Sequence, residues 1–168
     1  MRKIPVFLSC PTQLNSVQER KKGVLIKILD DLQMEPRSLG RTDYPKDYPL
    51  REVYVIAKHC SGGLILGFEQ LLVEKGVYKK GTKEEDKINE PIPISTPWNQ
   101  LEAGILFGLG IPLLIFKEEG MKGGIFDHGV TDIFIHKMPP SKPNKSKFEE
   151  LKQIIIHWQS EVIRKYYE

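Results

Sequence analysis

"STPWNQLEAGILFGLGIPLLIF", residues 95–116, is the stretch whose reading decides the fold. Thr96 has the chemistry of a helix cap, and Pro97 suits the first helical position, where a missing N–H costs nothing. Apolar and small residues carry the helix to about Leu109, and Gly110 stops it. "IPLLIF" (111–116) then reads as a strand covered on both faces. Within this run Glu102 is the one carboxylate, at the front of the helix. A carboxylate beside so much apolar surface costs free energy unless something uses it.

Working outward, "IPVFLS" (4–9) is a short buried strand ending in a Cys-Pro turn. Ser16 and Glu19 have capping-box spacing at the start of a helix whose stripe is Val17, Val24, Leu25, Ile28, Leu29 and Leu32. "EPRSLG" (35–40) is a second strand, "RTDYPKDYP" (41–49) a polar loop, "LREVYVIAKHC" (50–60) a helix, and "GGLILGF" (62–68) a third strand. Residues 69–94 mix charge, glycine and proline and read as a long insertion, of a length that is often functional. After the fourth strand come a glycine-rich loop (117–130), a fifth strand "DIFIH" (132–136) and a proline-rich linker. Ser146 and Glu149 mark a last helix with the stripe Phe148, Leu151, Ile155, Trp158 and Val162.

Alternating helices and two-sided strands predict an α/β chain: a flavodoxin-like three-layer sandwich with a central parallel sheet of about five strands. At 168 residues the chain is one domain, 1–168, with the insertion at about 69–94. Ligands in such sheets sit outside the carboxyl ends of the strands.

Composition excludes several classes. Hydrophobic content of 40% and charged content of 28% are those of an ordinary globular protein. A net charge of +3 gives no reason to expect nucleic acid. No apolar stretch reaches the ~18 residues of a membrane span, and the amino-terminus lacks the pattern of a signal peptide. Cys10 and Cys60 are too few for a disulfide framework, so a cytoplasmic location is expected. No G-x-G-x-x-G follows the first strand, and neither a P-loop lysine motif nor a nucleophile elbow occurs. The histidines are scattered and the cysteines lack metal spacing, so no metal is expected. The acidic run Glu84–Asp86 reads as a solvated loop.

A helix apolar all round is expected to be buried. Gly104 and Gly108 would then let another backbone approach. Near the helix start the dipole favours an ionised Glu102. Two structural roles compete with a chemical one. Asn99 and Glu102 have capping-box spacing, and a partly buried ion pair would also satisfy the carboxylate. The chemistry that uses such a group is cleavage of a glycosidic bond at a nucleoside-type sugar. Positive charge develops on the ribose, and a preorganised carboxylate stabilises it, holds a hydroxyl or attacks. Trp98, one turn earlier, offers an aromatic face to a base or nicotinamide.

The segment 95–116, with its tryptophan a few residues before a glutamate on the helix after the third strand, resembles the catalytic region of bacterial TIR-like (Toll/interleukin-1 receptor-like) domains. With "GLGIP" (108–112) it also resembles nucleoside 2-deoxyribosyltransferases. "VFLSCP" and "GGLILGF" fit the general layout of both families. The resemblance implies that Glu102 is the catalytic carboxylate of an enzyme that cleaves the nicotinamide–ribose bond of NAD, as hydrolase or ADP-ribose cyclase. NAD is then a substrate and no cofactor is needed. It further implies a nucleotide ligand, self-association or a defence-system partner, and a role in bacterial antiviral defence. A nucleoside or nucleotide N-glycosidase or 2-deoxyribosyltransferase is the alternative, and a non-catalytic nucleotide-sensing or scaffold module is a second. The aspartate that deoxyribosyltransferases place near the ribose is assigned to Asp43. Topology adds Ser9 and Cys10 at the end of the first strand, Arg41 for a phosphate, and Phe68 for stacking on a base. Asp127 and His128, in the loop after the fourth strand, are weaker candidates.

Overall fold

The computed structural model describes residues 3–40 and 48–168. Five strands form one parallel sheet: β1 (Ile4–Ser9), β2 (Met34–Arg37), β3 (Gly63–Gly67), β8 (Leu113–Lys117) and β9 (Ile135–Lys137), in the order β2-β1-β3-β8-β9. Helices α1 (Ser16–Asp31), α2 (Pro49–Lys58), α3 (Pro97–Gly108) and α4 (Lys145–Tyr167) cover it. This is the flavodoxin-like α/β architecture expected from the sequence.

The strands alternate as a two-period element must. Val6, Leu8, Leu64, Leu66, Leu114 and Phe116 turn to one face and pack on α1 and α4. Phe7, Ile65, Leu113 and Ile115 turn to the other and pack on α2 and α3. Central strands β1, β3 and β8 are therefore buried almost throughout. Gly67 is required at the end of β3, because a Cβ there would stand 2.6 Å from Phe126 Cε1 and 2.7 Å from Met121 Sδ.

Several boundaries differ from the sequence reading. The cap of α1 is Asn15, not Ser16: its side chain accepts from Val17 N and Gln18 N, and Gln18 closes the capping box. The cap of α4 is Asn144 rather than Ser146. In both cases a serine with a glutamate three residues later lies within two residues of an asparagine, and the asparagine takes the cap, accepting from N–H groups of the first turn. The second strand begins one residue earlier and ends at Arg37. The fifth covers Ile135–Lys137, leaving Phe134 72% exposed at the sheet edge. The insertion at 69–94 is not bare loop. It holds two antiparallel pairs, β4 (Leu71–Val73) with β7 (Ile92–Ile94), and β5 (Val77–Tyr78) with β6 (Asp86–Lys87).

Helix α3 starts as expected, with Thr96 Oγ1 accepting from Trp98 N and Pro97 at the first position. It ends in a Schellman motif. Gly110, at φ +64°, donates to Phe107 O, and Ile111 donates to Leu106 O. The expectation of burial all round is corrected. Leu101, Gly104, Phe107 and Gly108 face outward, and no atom beyond the helix lies within 4 Å of a Cβ built at either glycine. One helix packed on one sheet face buries one stripe, here Asn99, Ala103 and Leu106.

Candidate active site at the carboxyl edge of the sheet

Four chain segments meet at the carboxyl ends of the strands and enclose a cavity of about 420 Å³. Cys10, Pro11 and Thr12 follow β1, and Leu39 and Gly40 follow β2. Gln70 follows β3, and Thr96, Trp98 and Glu102 come from the start of α3. A larger groove of about 930 Å³ lies at the far end of α3, between the start of β8, β9 and α4. Ligands of doubly wound sheets bind at the carboxyl ends, and the smaller cavity is the one placed there.

Among the described residues neither structural role weighed for Glu102 is found. The cap is Thr96, so Glu102 is the sixth helical residue and lies beyond capping reach. Among the described residues no cation pairs with it. Its carboxyl is pushed up from 4.5 to about 7, first by burial, with the nearby Ser9 hydroxyl opposing the rise. The expectation that the helix dipole would hold it ionised is therefore corrected: the dipole acts within the first turn, and Glu102 is past it.

Ser9 is fully buried beneath the cavity rather than on its wall. Its hydroxyl accepts from Asn99 Nδ2 at 2.8 Å, and its proximity to Glu102 favours the ionised carboxylate. Cys10 lines the cavity, half-buried, with Sγ 3.6 Å from Pro11 O. Trp98 lines it as well and is 41% exposed. Phe68 is not brought to the site. It is fully buried among the residues that pack on α1 and α4, because its side chain continues the β3 alternation to that face. Arg41 and Asp43 lie outside the described residues. Asp127 acts within its own loop, accepting from Gly123 N at 2.9 Å.

Sequence reasoning missed Gln70, Thr12 and the clasp that holds this wall. Glu118, just past β8, accepts from Glu69 N at 2.9 Å and Gln18 Nε2 at 3.0 Å, and pairs with Lys21 at 2.8 Å. Burial opposes ionisation of Glu118, but Lys21, the Glu69 N–H and Gln18 outweigh it and hold the carboxyl below its ordinary range. The clasp fixes Glu69, and with it the neighbouring Gln70, whose amide also donates to Gln13 O. No local motif announces it, since its members are about 50 to 100 residues apart.

Among the described residues no group of three or more His, Cys, Asp or Glu is placed to hold a metal ion. No described helix is long and apolar enough to cross a membrane. No family model matches the chain, and no curated protein or solved structure matches it either.

Proposed function

We propose that the chain is an N-glycosidase of TIR type that cleaves the nicotinamide–ribose bond of NAD, with Glu102 as its catalytic carboxylate. The observation that carries this reading is the position of Glu102, on the cavity wall at the carboxyl edge of the sheet and largely desolvated. Trp98 supports it by sharing that wall one helical turn away.

The chemistry follows from charge. As the bond to C1′ breaks, its electron pair passes to the nicotinamide nitrogen, so the leaving group departs neutral and needs no proton. Positive charge moves to the ribose ring. Ionised Glu102 stabilises it in a site with little water, where such an interaction is strongest. A cationic ring entering the cavity favours the ionised carboxylate. Trp98 supplies an aromatic face for that ring. In hydrolysis, water oxygen bonds to C1′ and a proton leaves to solvent. Transfer to another acceptor, or cyclisation, uses the same carboxylate. Self-assembly and the defence role rest on the resemblance of residues 95–116 alone.

A second reading, a nucleoside or nucleotide N-glycosidase or deoxyribosyltransferase, is favoured by size: about 420 Å³ suits a single nucleoside unit. A leaving purine needs a proton, which Glu102 carries below about pH 7.

The test offers the full chain NAD, nucleosides and nucleoside monophosphates, and follows free nicotinamide or free base across pH. NAD cleavage that rises with pH supports the first reading. Consumption of nucleosides only, falling as pH rises, replaces it with the second. No cleavage of any substrate, even at high protein concentration, defeats both.

A further inference from the structure

Gln70 follows β3 on the wall of the cavity, and its backbone is anchored there. The preceding Glu69 N donates to Glu118 at 2.9 Å, and Gln70 N donates to Ile94 O at 2.9 Å, just before the cap of α3. The side chain is tied as well. Its Nε2 donates to Gln13 O at 3.2 Å and to Glu69 O at 3.0 Å. Both partners are main-chain carbonyls, which only accept, so the amide is set with its nitrogen toward them. An amide nitrogen carries two hydrogens, and here both are committed. Among the described residues nothing donates to Oε1. Gln70 is also the one side-chain amide on the described wall.

A side chain whose donors are spent on neighbouring main chain can meet a ligand only as an acceptor. We infer that Gln70 is a specificity-determining residue of this cavity: its Oε1 accepts an N–H from an exocyclic nitrogen on the flat ring that lies against Trp98. This rests on the proposed function, which puts such a ring beside Glu102. The chemistry selected is an aromatic nitrogen ring bearing a carboxamide or an amino group, as in nicotinamide or adenine. An acceptor already held by two hydrogen bonds needs little further ordering when a ligand arrives, so the bond it makes is retained as affinity. A ring without that N–H displaces the water on Oε1 and gives nothing in return, which is the physical basis of the discrimination.

The experiment measures binding by NMR titration of the full chain with free rings, which hold no glycosidic bond to cleave. Nicotinamide is compared with N,N-dimethylnicotinamide, and adenine with purine; the second ring of each pair is neutral and lacks the exocyclic N–H. In the parent, the N–H-bearing member of at least one pair is expected to bind about 10-fold more tightly. A preference in the first pair identifies the carboxamide as the group read, and one in the second identifies the amino group. Gln70→Met keeps the length without the acceptor, and Gln70→Ala removes the side chain. Each is expected to lower that ratio about 10-fold while the ring without N–H binds as in the parent. A merely structural Gln70 would weaken both members of a pair alike. Equal binding within both pairs in the parent, a ratio that survives both variants, or no binding of any ring overturns the inference. A preference lost in the variants of a protein that cleaves nothing would sink the proposed activity and leave the Gln70 assignment standing. Cleavage of NAD with no such preference would do the reverse.

Discussion

Trp98 and Glu102 stand one helical turn apart on α3, and both line the same cavity. The tryptophan is partly open and the glutamate is largely desolvated. An aromatic face beside a poorly solvated carboxylate is an arrangement for a flat, electron-poor ring joined to a sugar. Because Trp98 is 41% exposed, its contribution to folding is small and its contribution to binding can be read separately. Trp98→Ala is expected to lower kcat/KM about 10-fold, a loss of ~1.4 kcal/mol. The melting temperature should stay nearly the same. An unchanged kcat/KM would remove Trp98 from the binding site.

The raised Glu102 carboxyl ties stability to pH. Between about pH 4.5 and 7 the folded chain keeps a proton that the unfolded chain has released, so stability falls as pH rises through that window. The rise from 4.5 to about 7 corresponds to about 3 kcal/mol. Glu102→Gln cannot ionise, and its urea unfolding should lose this part of the decline. The variant should be more stable than the parent at about pH 8 and no more stable at about pH 4. Equal declines in both proteins would show that Glu102 is solvated.

Glu118 works in the opposite sense. Its depressed carboxyl contributes stability above the ordinary carboxylate range, and this is lost as pH falls through the folded-state value. Glu118→Ala leaves Lys21, Gln18 and the Glu69 N–H without their shared acceptor. A loss of about 2 kcal/mol in denaturant unfolding is expected. Proteolysis within 69–94 should also quicken, since Glu69 is the anchored end of that segment. An unchanged cleavage rate would mean that the insertion is held elsewhere.

Two glycines give opposite outcomes. Gly67→Ala drives a methyl into Phe126 and Met121, and should cost about 1–3 kcal/mol. Gly104→Ala meets nothing within 4 Å in the interior of a helix, and should add about 0.5–1 kcal/mol. Thermal melts of the two variants check both; a destabilising Gly104→Ala would reveal a close neighbour on the outer face of α3.

The sheet was legible because its strands are two-sided and its helix boundaries carry local chemistry. Thr96, Pro97 and Gly110 delimited α3 to within a residue. Glu102 stood out for a physical reason: one carboxylate on a mostly apolar helix. What stayed hidden is non-local. Asn99 looked like half of a capping box, but Thr96 takes the cap and Asn99, two residues into the helix, is buried against β1. Phe68 was adjacent to the right strand end, but side-chain alternation sent it to the other face. The hairpins of the insertion are pairs of two or three residues, too short for a periodic pattern to register.

The most direct measurement is nicotinamide release from NAD by the parent chain and by Glu102→Gln, at matched concentration and with folding verified. Release by the parent and a fall of at least about 100-fold in the variant is the expected result. Release that survives the substitution would contradict the assignment of Glu102, and no release by the parent, under self-associating conditions as well, would contradict the activity itself.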